Sequence, residues 1–293
     1  MQRALYLLSA LSFLIACCMA YAGPVHAWGA QGHRIIGDLT YQRLSPEGRL
    51  LVDRLIAAAP AQEGFDRCPT ASLADASVWA DCVRGERMAS FGYMSELHYV
   101  STPICKAGPT GSFCPDGDCV TEAIRQAKAV LSDESATDLS RLLALQHVAH
   151  FLQDMHQPLH VGQNDDRGGN EVTITTFEGG RSRNLHSLWD GDLVTATVGS
   201  QREELPALLA EISANAAGWS GQTIEAWGLE SFAWSRDYAY AKLTDPPECS
   251  ESPAEGGAIT PEYVEAAKPI IREQLAKAVV RMTEVIDKAA RNA

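Results

Sequence analysis

None of the eight cysteines in this 293-residue chain stands in a C-x-x-C pair. That argues against a zinc site built on thiolates, which recurs at such spacings. Internal repeats are absent, and no low-complexity linker is long enough to separate two domains. Basic charge is scarce: 24 Lys and Arg stand against 37 Asp and Glu, a formal charge of −13. A chain of that sign does not draw polyanions through its overall field, so any polyanionic ligand must be held by local charge. A basic amphipathic stretch of the kind that lies on membranes is lacking too, and no stable membrane partner is expected.

What is present begins with a leader. Arg3 is the only charged residue among the first 22, an apolar run follows from Ala4 to Tyr21, and Val25 and Ala27 are small residues at −3 and −1. The pattern predicts a secretory signal over 1–27, cut between Ala27 and Trp28, and a secreted or periplasmic protein. An uncleaved anchor and a lipoprotein box at "LIAC", ending in Cys17, are the competing readings. Residues 28–293 suffice for one domain with a sizeable core. Removal of Cys17 and Cys18 leaves Cys68, Cys82, Cys105, Cys114, Cys119 and Cys249, an even set suited to disulfides with fifteen formal pairings.

Helical periodicity dominates. Ser45 caps "PEGRLLVDRLIAAA", with Pro46 in the first turn. Helices are also predicted over 71–85, 120–132, 137–157 (stopping before Pro158), 185–195, 202–215, 223–242 and 261–290. Alternation in "NEVTITTF" marks one arm of a short hairpin turning at Gly179-Gly180, and "ELHYVST" is expected to be extended. The predicted fold class is a mainly α single domain with a small β-hairpin.

Seven histidines follow the leader, four of them within "HVAHFLQDMHQPLH". His150 and Asp154 are i and i+4 on a helix and share one face; His186 and Asp190 in "HSLWD" repeat the spacing, and His160 lies just past Pro158. One such pair is commonly a surface ion pair. Two pairs with a further histidine between them form the donor set of a zinc site of imidazoles and carboxylates. His147 falls a turn before that face, where it packs or hydrogen-bonds, and His156 is expected to orient a ligand from behind. Read from the residues alone, Trp28 is a buried aromatic near a terminus.

These stretches carry a resemblance. "WGAQGH", "WADCVR", "LHYVSTP", "HFLQDMHQPLHVG", "DRGGNEV" and "NLHSLWD" resemble the zinc-dependent single-strand-specific nucleases (type I nucleases) of fungi, plants and bacteria. Later, "WGLESFAW" and "YVEAAKPIIREQLAKAVVRM" are similar to the family's last helices, so the likeness spans almost the whole chain after the leader. The family shares its fold with bacterial zinc phospholipase C, which carries Glu where this chain has Asp190. Besides that phospholipase, a non-catalytic zinc-binding protein is the alternative.

The resemblance implies three zinc ions. Asp81, His98, His150 and Asp154 would hold one; His160, His186 and Asp190 a second. His33, a bridging Asp154, and the α-amine and carbonyl of Trp28 would hold the third. The amine becomes a ligand only when the leader is cut. It implies hydrolysis of single-stranded DNA and RNA to 5′-phosphorylated products, with 3′-nucleotidase action on nucleotides, by a monomer. Tyr99 would stack on a base and Asn170 would meet substrate. Ser101 stands where many members have Asp or Asn, which leaves base preference open. Cys105–Cys249 and Cys114–Cys119 match family disulfides, leaving Cys68–Cys82.

Overall fold

The computed structural model describes residues 28–60, 66–85, 94–106, 108–109, 113–114, 117–174, 183–199, 203–243 and 258–291. The leader, the Gly179-Gly180 turn and Cys249 lie outside the described residues. The helices are α1 (Gly29–Arg43), α2 (Pro46–Ala57), α3 (Leu73–Gly85), α4 (Val120–Leu131), α5 (Asp138–Met155), α6 (Leu185–Ser187), α7 (Leu193–Val198), α8 (Leu205–Trp219), α9 (Ile224–Trp234) and α10 (Pro261–Arg291). The mainly helical class is as expected.

Side-chain caps start several of them. Ser45 Oγ accepts from the Gly48 N–H with Pro46 in the first turn, Thr137 caps α5 on Ser140, and Thr223 caps α9 on Ala226. The long α10 buries Ile271, Leu275, Val279, Met282 and Ile286 at near-helical spacing. It packs against α1, α2, α5, α7 and α8, while α3 lies on both α1 and α5 and α4 lies on α5. The core therefore surrounds α5, the helix that carries His150 and Asp154.

Three features depart from the sequence reading. Helix α1 was not anticipated, because Gly29, Gly32 and Gly37 each weaken a 15-residue helix by about 1 kcal/mol relative to Ala. Burial of Ile35, Ile36 and Leu39 overrides that propensity. Gly37 is needed for contact: a Cβ there would lie 2.7 Å from Ala74 Cα and from Ser77 Oγ, so α1 and α3 touch backbone to backbone. Next, the helix expected over 185–195 widens into a π-helical segment, Leu188–Asp192, between α6 and α7, and α9 runs into a second one, Ser235–Tyr240.

The third departure is in the strands. Within "NEVTITTF", β3 (Thr173–Ile174) pairs antiparallel with β4 (Arg183–Asn184), and residues 175–177 lie outside the described residues. "ELHYVST" begins as a 3-10 turn, Glu96–His98, before becoming extended at Tyr99. It leads into β1 (Thr102–Pro103), which pairs in parallel with β2 (Gly162–Gln163). Disulfides join Cys68 to Cys82 and Cys114 to Cys119. Cys105 is disulfide-bonded, and its expected partner Cys249 lies outside the described residues. Among the described residues no helix is long and apolar enough to cross a membrane.

Candidate metal centre

Helix α5 presents His150 and Asp154 one turn apart, both fully buried. Its end at Met155 and the 3-10 turn Pro158–His160 then bring His160 back beside them. From α3, Asp81 comes to the same place, and from the turn before Tyr99 comes His98. His98 Nδ1 lies 2.9 Å from Asp154 Oδ2, 3.0 Å from His150 Nε2 and 3.7 Å from Asp81 Oδ1. His150 Nε2 is 3.2 Å from Asp154 Oδ2 and 3.7 Å from Asp81 Oδ1.

His33, on the first turns of α1, stacks on the His150 ring at 4.3 Å and sets Nε2 3.4 Å from Asp154 Oδ1. Trp28 lies just before α1 with its indole fully buried and donating to the Gln153 carbonyl at 2.8 Å. A Cβ on Gly29 would stand 3.0 Å from the Asp190 carbonyl oxygen, so the chain enters α1 against the segment that carries Asp190.

The remaining residues form a second lobe. His160 Nε2 and His186 Nε2 are 3.1 Å apart, and His186 Nε2 is 3.4 Å from Asp190 Oδ2. Each of these rings is tied at Nδ1 to a backbone carbonyl, His160 to His98 (2.7 Å) and His186 to Gly168 (2.6 Å). Gly168 offers that carbonyl from a left-handed turn with φ of 65°, pressed so close to Leu159 that a Cβ would be 2.4 Å from its oxygen. Backbone bonds link the lobes: Val100 N–H donates to the His160 carbonyl at 2.8 Å, and Thr102 N–H to that of Val161 at 3.1 Å.

The atoms fall into three groups that could hold metal ions: His33 with His150 and Asp154, Asp81 with His98 and His150, and His160 with His186 and Asp190. Within each group the donor atoms lie within 4.8 Å of one another. Asp154 Oδ1, Asp190 Oδ2 and His33 Nε2 are buried without a hydrogen-bond partner among the described residues, which is costly unless a cation serves them.

Electrostatics support the same view. Burial, with His160 adding to it, holds His186 down at about 3, and burial holds His98 at about 4. Both are neutral imidazoles, the form that binds metal. Burial opposes charge on His150 too, but Asp154 and Asp81 outweigh it and draw the ring up to about 8. Asp154 stays ionised well below the usual carboxylate range despite burial, because His150, His33 and His98 surround it. Burial, together with Asp81 and Asp154, pushes Asp190 well up.

Eight of the nine proposed ligand residues thus come together in these groups, Trp28 is held nearby through its indole bond to Gln153, and several unassigned residues support them. Arg84 Nη2 reaches Asp81 Oδ1 at 2.6 Å, placing a cation at the cluster's edge. Gln157 Nε2 donates to Asp190 Oδ1 at 2.6 Å while its Oε1 accepts from the Leu159 N–H. Gln153 and Ser77 stand behind His33 and His150. Only the identity of Gln in "LQDMHQ" hinted at these contacts. Tyr99, 42% exposed, and exposed Ser101 follow His98 along the strand-like segment. Half-buried Asn170 donates to the Arg167 carbonyl at 2.8 Å and closes its own turn. His147 packs on Trp79 and Phe151. The expectation for His156 is corrected: its Nδ1 donates to Leu152 and its Nε2 accepts from Arg281 at 2.8 Å, away from the ligands. Arg281, fully buried, holds it there while pairing with Glu230.

The chain is similar to known nucleases over nearly its whole length. Endonuclease 2 of Arabidopsis thaliana is 27% identical over 96% of this chain and 97% of its own. Nuclease P1 of Penicillium citrinum is 27% identical over 89% and 97%, and nuclease S1 of Aspergillus oryzae 23% over 93% and 95%. The family model described as S1/P1 nuclease matches residues 28–291. With that match running from Trp28 through α10, the chain belongs to the S1/P1 nuclease family and is a hydrolytic phosphodiesterase.

Proposed function

We propose that the chain acts, after removal of residues 1–27, as a secreted, monomeric three-zinc nuclease. It hydrolyses single-stranded DNA and RNA at the P–O3′ bond, releases 5′-phosphorylated products and accepts 3′-nucleotides. Asp81, His98, His150 and Asp154 would hold one zinc, and His160, His186 and Asp190 a second. His33, Asp154 and the Trp28 amine and carbonyl would hold the third. The donor set fits: buried imidazole nitrogens and carboxylate oxygens, with Asp154 Oδ1, Asp190 Oδ2 and His33 Nε2 unsatisfied and no thiolate in the described cluster, are what zinc takes in hydrolytic sites. When bound, zinc supplies Lewis-acid charge for a phosphate and activation of water near neutral pH.

The chain's own residues do the rest. Three buried carboxylates, Asp81, Asp154 and Asp190, would offset half the charge of three zinc ions, and Arg84, paired with Asp81, would place a further cation near a phosphate oxygen. Tyr99, exposed beside His98, offers a ring on which an unpaired base stacks, which a base inside a duplex cannot reach. Asn170 and Ser101 would be further contacts for substrate. Water attacks phosphorus directly, with inversion and no covalent enzyme intermediate.

The observation that carries this reading is the convergence of three ligand groups from separate segments of the chain, two of which meet at the carboxylate of Asp154. The test is elemental analysis of protein beginning at Trp28, beside assays of single- and double-stranded oligonucleotides and phosphatidylcholine. Three zinc ions per chain and 5′-phosphate ends from single strands are expected. Fewer tightly held ions together with intact oligonucleotides, or preferential lipid hydrolysis, would overturn it.

A further inference from the structure

Gln153 lies between Leu152 and Asp154 on α5, is fully buried, and coordinates nothing in the ligand set above. Three other buried groups give its side-chain amide a direction. Ser77 Oγ donates its one proton to the Leu73 carbonyl at 2.9 Å. Its oxygen therefore accepts, and it does so from Gln153 Nε2 at 2.9 Å. The amide's second N–H faces Met282 Sδ at 3.8 Å. Gln153 Oε1 is then the end presented to His33, 2.8 Å from Nδ1. A carbonyl oxygen only accepts, so Nδ1 carries the ring proton and Nε2 carries the lone pair, 3.4 Å from Asp154 Oδ1.

The opposite orientation has a different outcome. Turning the amide over would place its oxygen on Ser77, taking that hydroxyl's proton from Leu73, and would aim an N–H at His33 Nδ1. The ring proton would then sit on Nε2, the atom that faces Asp154, and His33 could not ligate. The choice between a ligating and a non-ligating His33 is made three residues away, at the Leu73 carbonyl.

We propose that Gln153 is a positioning residue for the His33 end of the metal centre. Aligned by Ser77 and Leu73, its amide fixes the His33 tautomer whose Nε2 is free for a metal ion. The proposal rests on the zinc reading above. The main-chain carbonyl of the same residue receives the Trp28 indole, so side-chain substitutions at 153 leave the Trp28 anchor in place and isolate the effect on His33.

The experiment compares protein beginning at Trp28 with its Gln153→Leu, Gln153→Glu and Ser77→Ala variants. Two readouts are used: zinc affinity by titration against a chelator with total zinc by elemental analysis, and the His33 tautomer by long-range nitrogen–proton NMR of the zinc-free proteins. The parent is expected to show the Nδ1–H form. Gln153→Leu and Ser77→Ala should lose that preference and bind one of three ions about 10–100-fold more weakly, the others unchanged. Gln153→Glu, which still accepts from Nδ1–H, should keep the ion. If Gln153→Leu fails to fold, Ser77→Ala carries the test, since it removes only a hydroxyl. An Nε2–H parent, variants that hold all three ions as the parent does, or a Glu variant as weak as Leu would overturn the proposal. A parent that holds no zinc would overturn the zinc reading and this proposal with it, whereas a three-zinc parent with unaffected variants removes this proposal alone.

Discussion

His160 and His186 point their Nε2 atoms at each other across 3.1 Å while a backbone carbonyl occupies each Nδ1. Two lone pairs so placed repel unless a cation lies between them. Asp154 has a wider reach: its two oxygens face His33 on one side and His98 and His150 on the other.

That difference ranks two substitutions. Asp154→Ala is expected to release two ions and abolish measurable single-strand cleavage. His160→Ala should release one and lower turnover about 10²–10³-fold, the scale of losing one electrostatic stabiliser. Zinc content and initial rates measured together decide it, and the reverse order would refute the shared role of Asp154.

A version carrying one extra residue before Trp28 should bind less zinc at the His33 end and lose most activity. The α-amine has an ordinary pKa near 8 and is deprotonated by a metal, but an amide nitrogen is not a ligand of that kind. Equal zinc content and turnover in the extended and trimmed proteins would exclude the amine.

Acid should destabilise the zinc-free protein. Burial places His186 at about 3 and His98 at about 4; His147, also lowered by the neighbouring His150, is at about 4. Their folded values lie below the unfolded value of 6.5, so below that pH the unfolded chain takes up protons first. Stability falls from pH 6.5 toward 4, by about 1.4 kcal/mol per pH unit for each fully buried ring. His150, at about 8, works in another window: its contribution is complete below 6.5 and is lost as pH rises through 8. Asp190, pushed up, opposes the trend but is a single group. Thermal unfolding in chelator should therefore show a lower Tm at pH 5 than at 6.5, and the gain on adding zinc should shrink on acidification. A Tm unchanged across that interval would contradict it.

Tyr99→Ala should raise KM for single-stranded oligonucleotides about 10-fold with little change in kcat, the scale of one base–aromatic stack. A drop in kcat at constant KM would assign the ring to a different role.

Gly37→Ala should push α1 from α3, because the added methyl meets Ala74 Cα and Ser77 Oγ at 2.7 Å. A loss of about 1–3 kcal/mol is expected from overpacking, read from denaturant unfolding. Unaltered stability would mean the two helices slide freely.

The helical spacing made His150 with Asp154 and His186 with Asp190 legible from sequence, since i and i+4 share a face wherever the helix sits. Their joining with Asp81, His98 and His33 was legible only through the family resemblance, for segments this far apart carry no periodic signal of their meeting. Helix α1 was hidden because glycine serves close packing there at the expense of propensity. The carbonyls of Ser77, His98 and Gly168, which orient three imidazoles, leave no mark in side-chain identity. His156 shows the converse: a histidine among ligands in sequence that belongs to a buried arginine in space.

The pairing of β1 with β2 ties the strand after His98 to the turn that ends in His160, rung by rung. The gap between the two halves of the reaction centre is thereby gauged by main-chain geometry. Side-chain exchange can alter how firmly either group of donors would hold an ion, while the main chain keeps the segments after His98 and His160 in one register, like the jaws of a caliper locked at one opening.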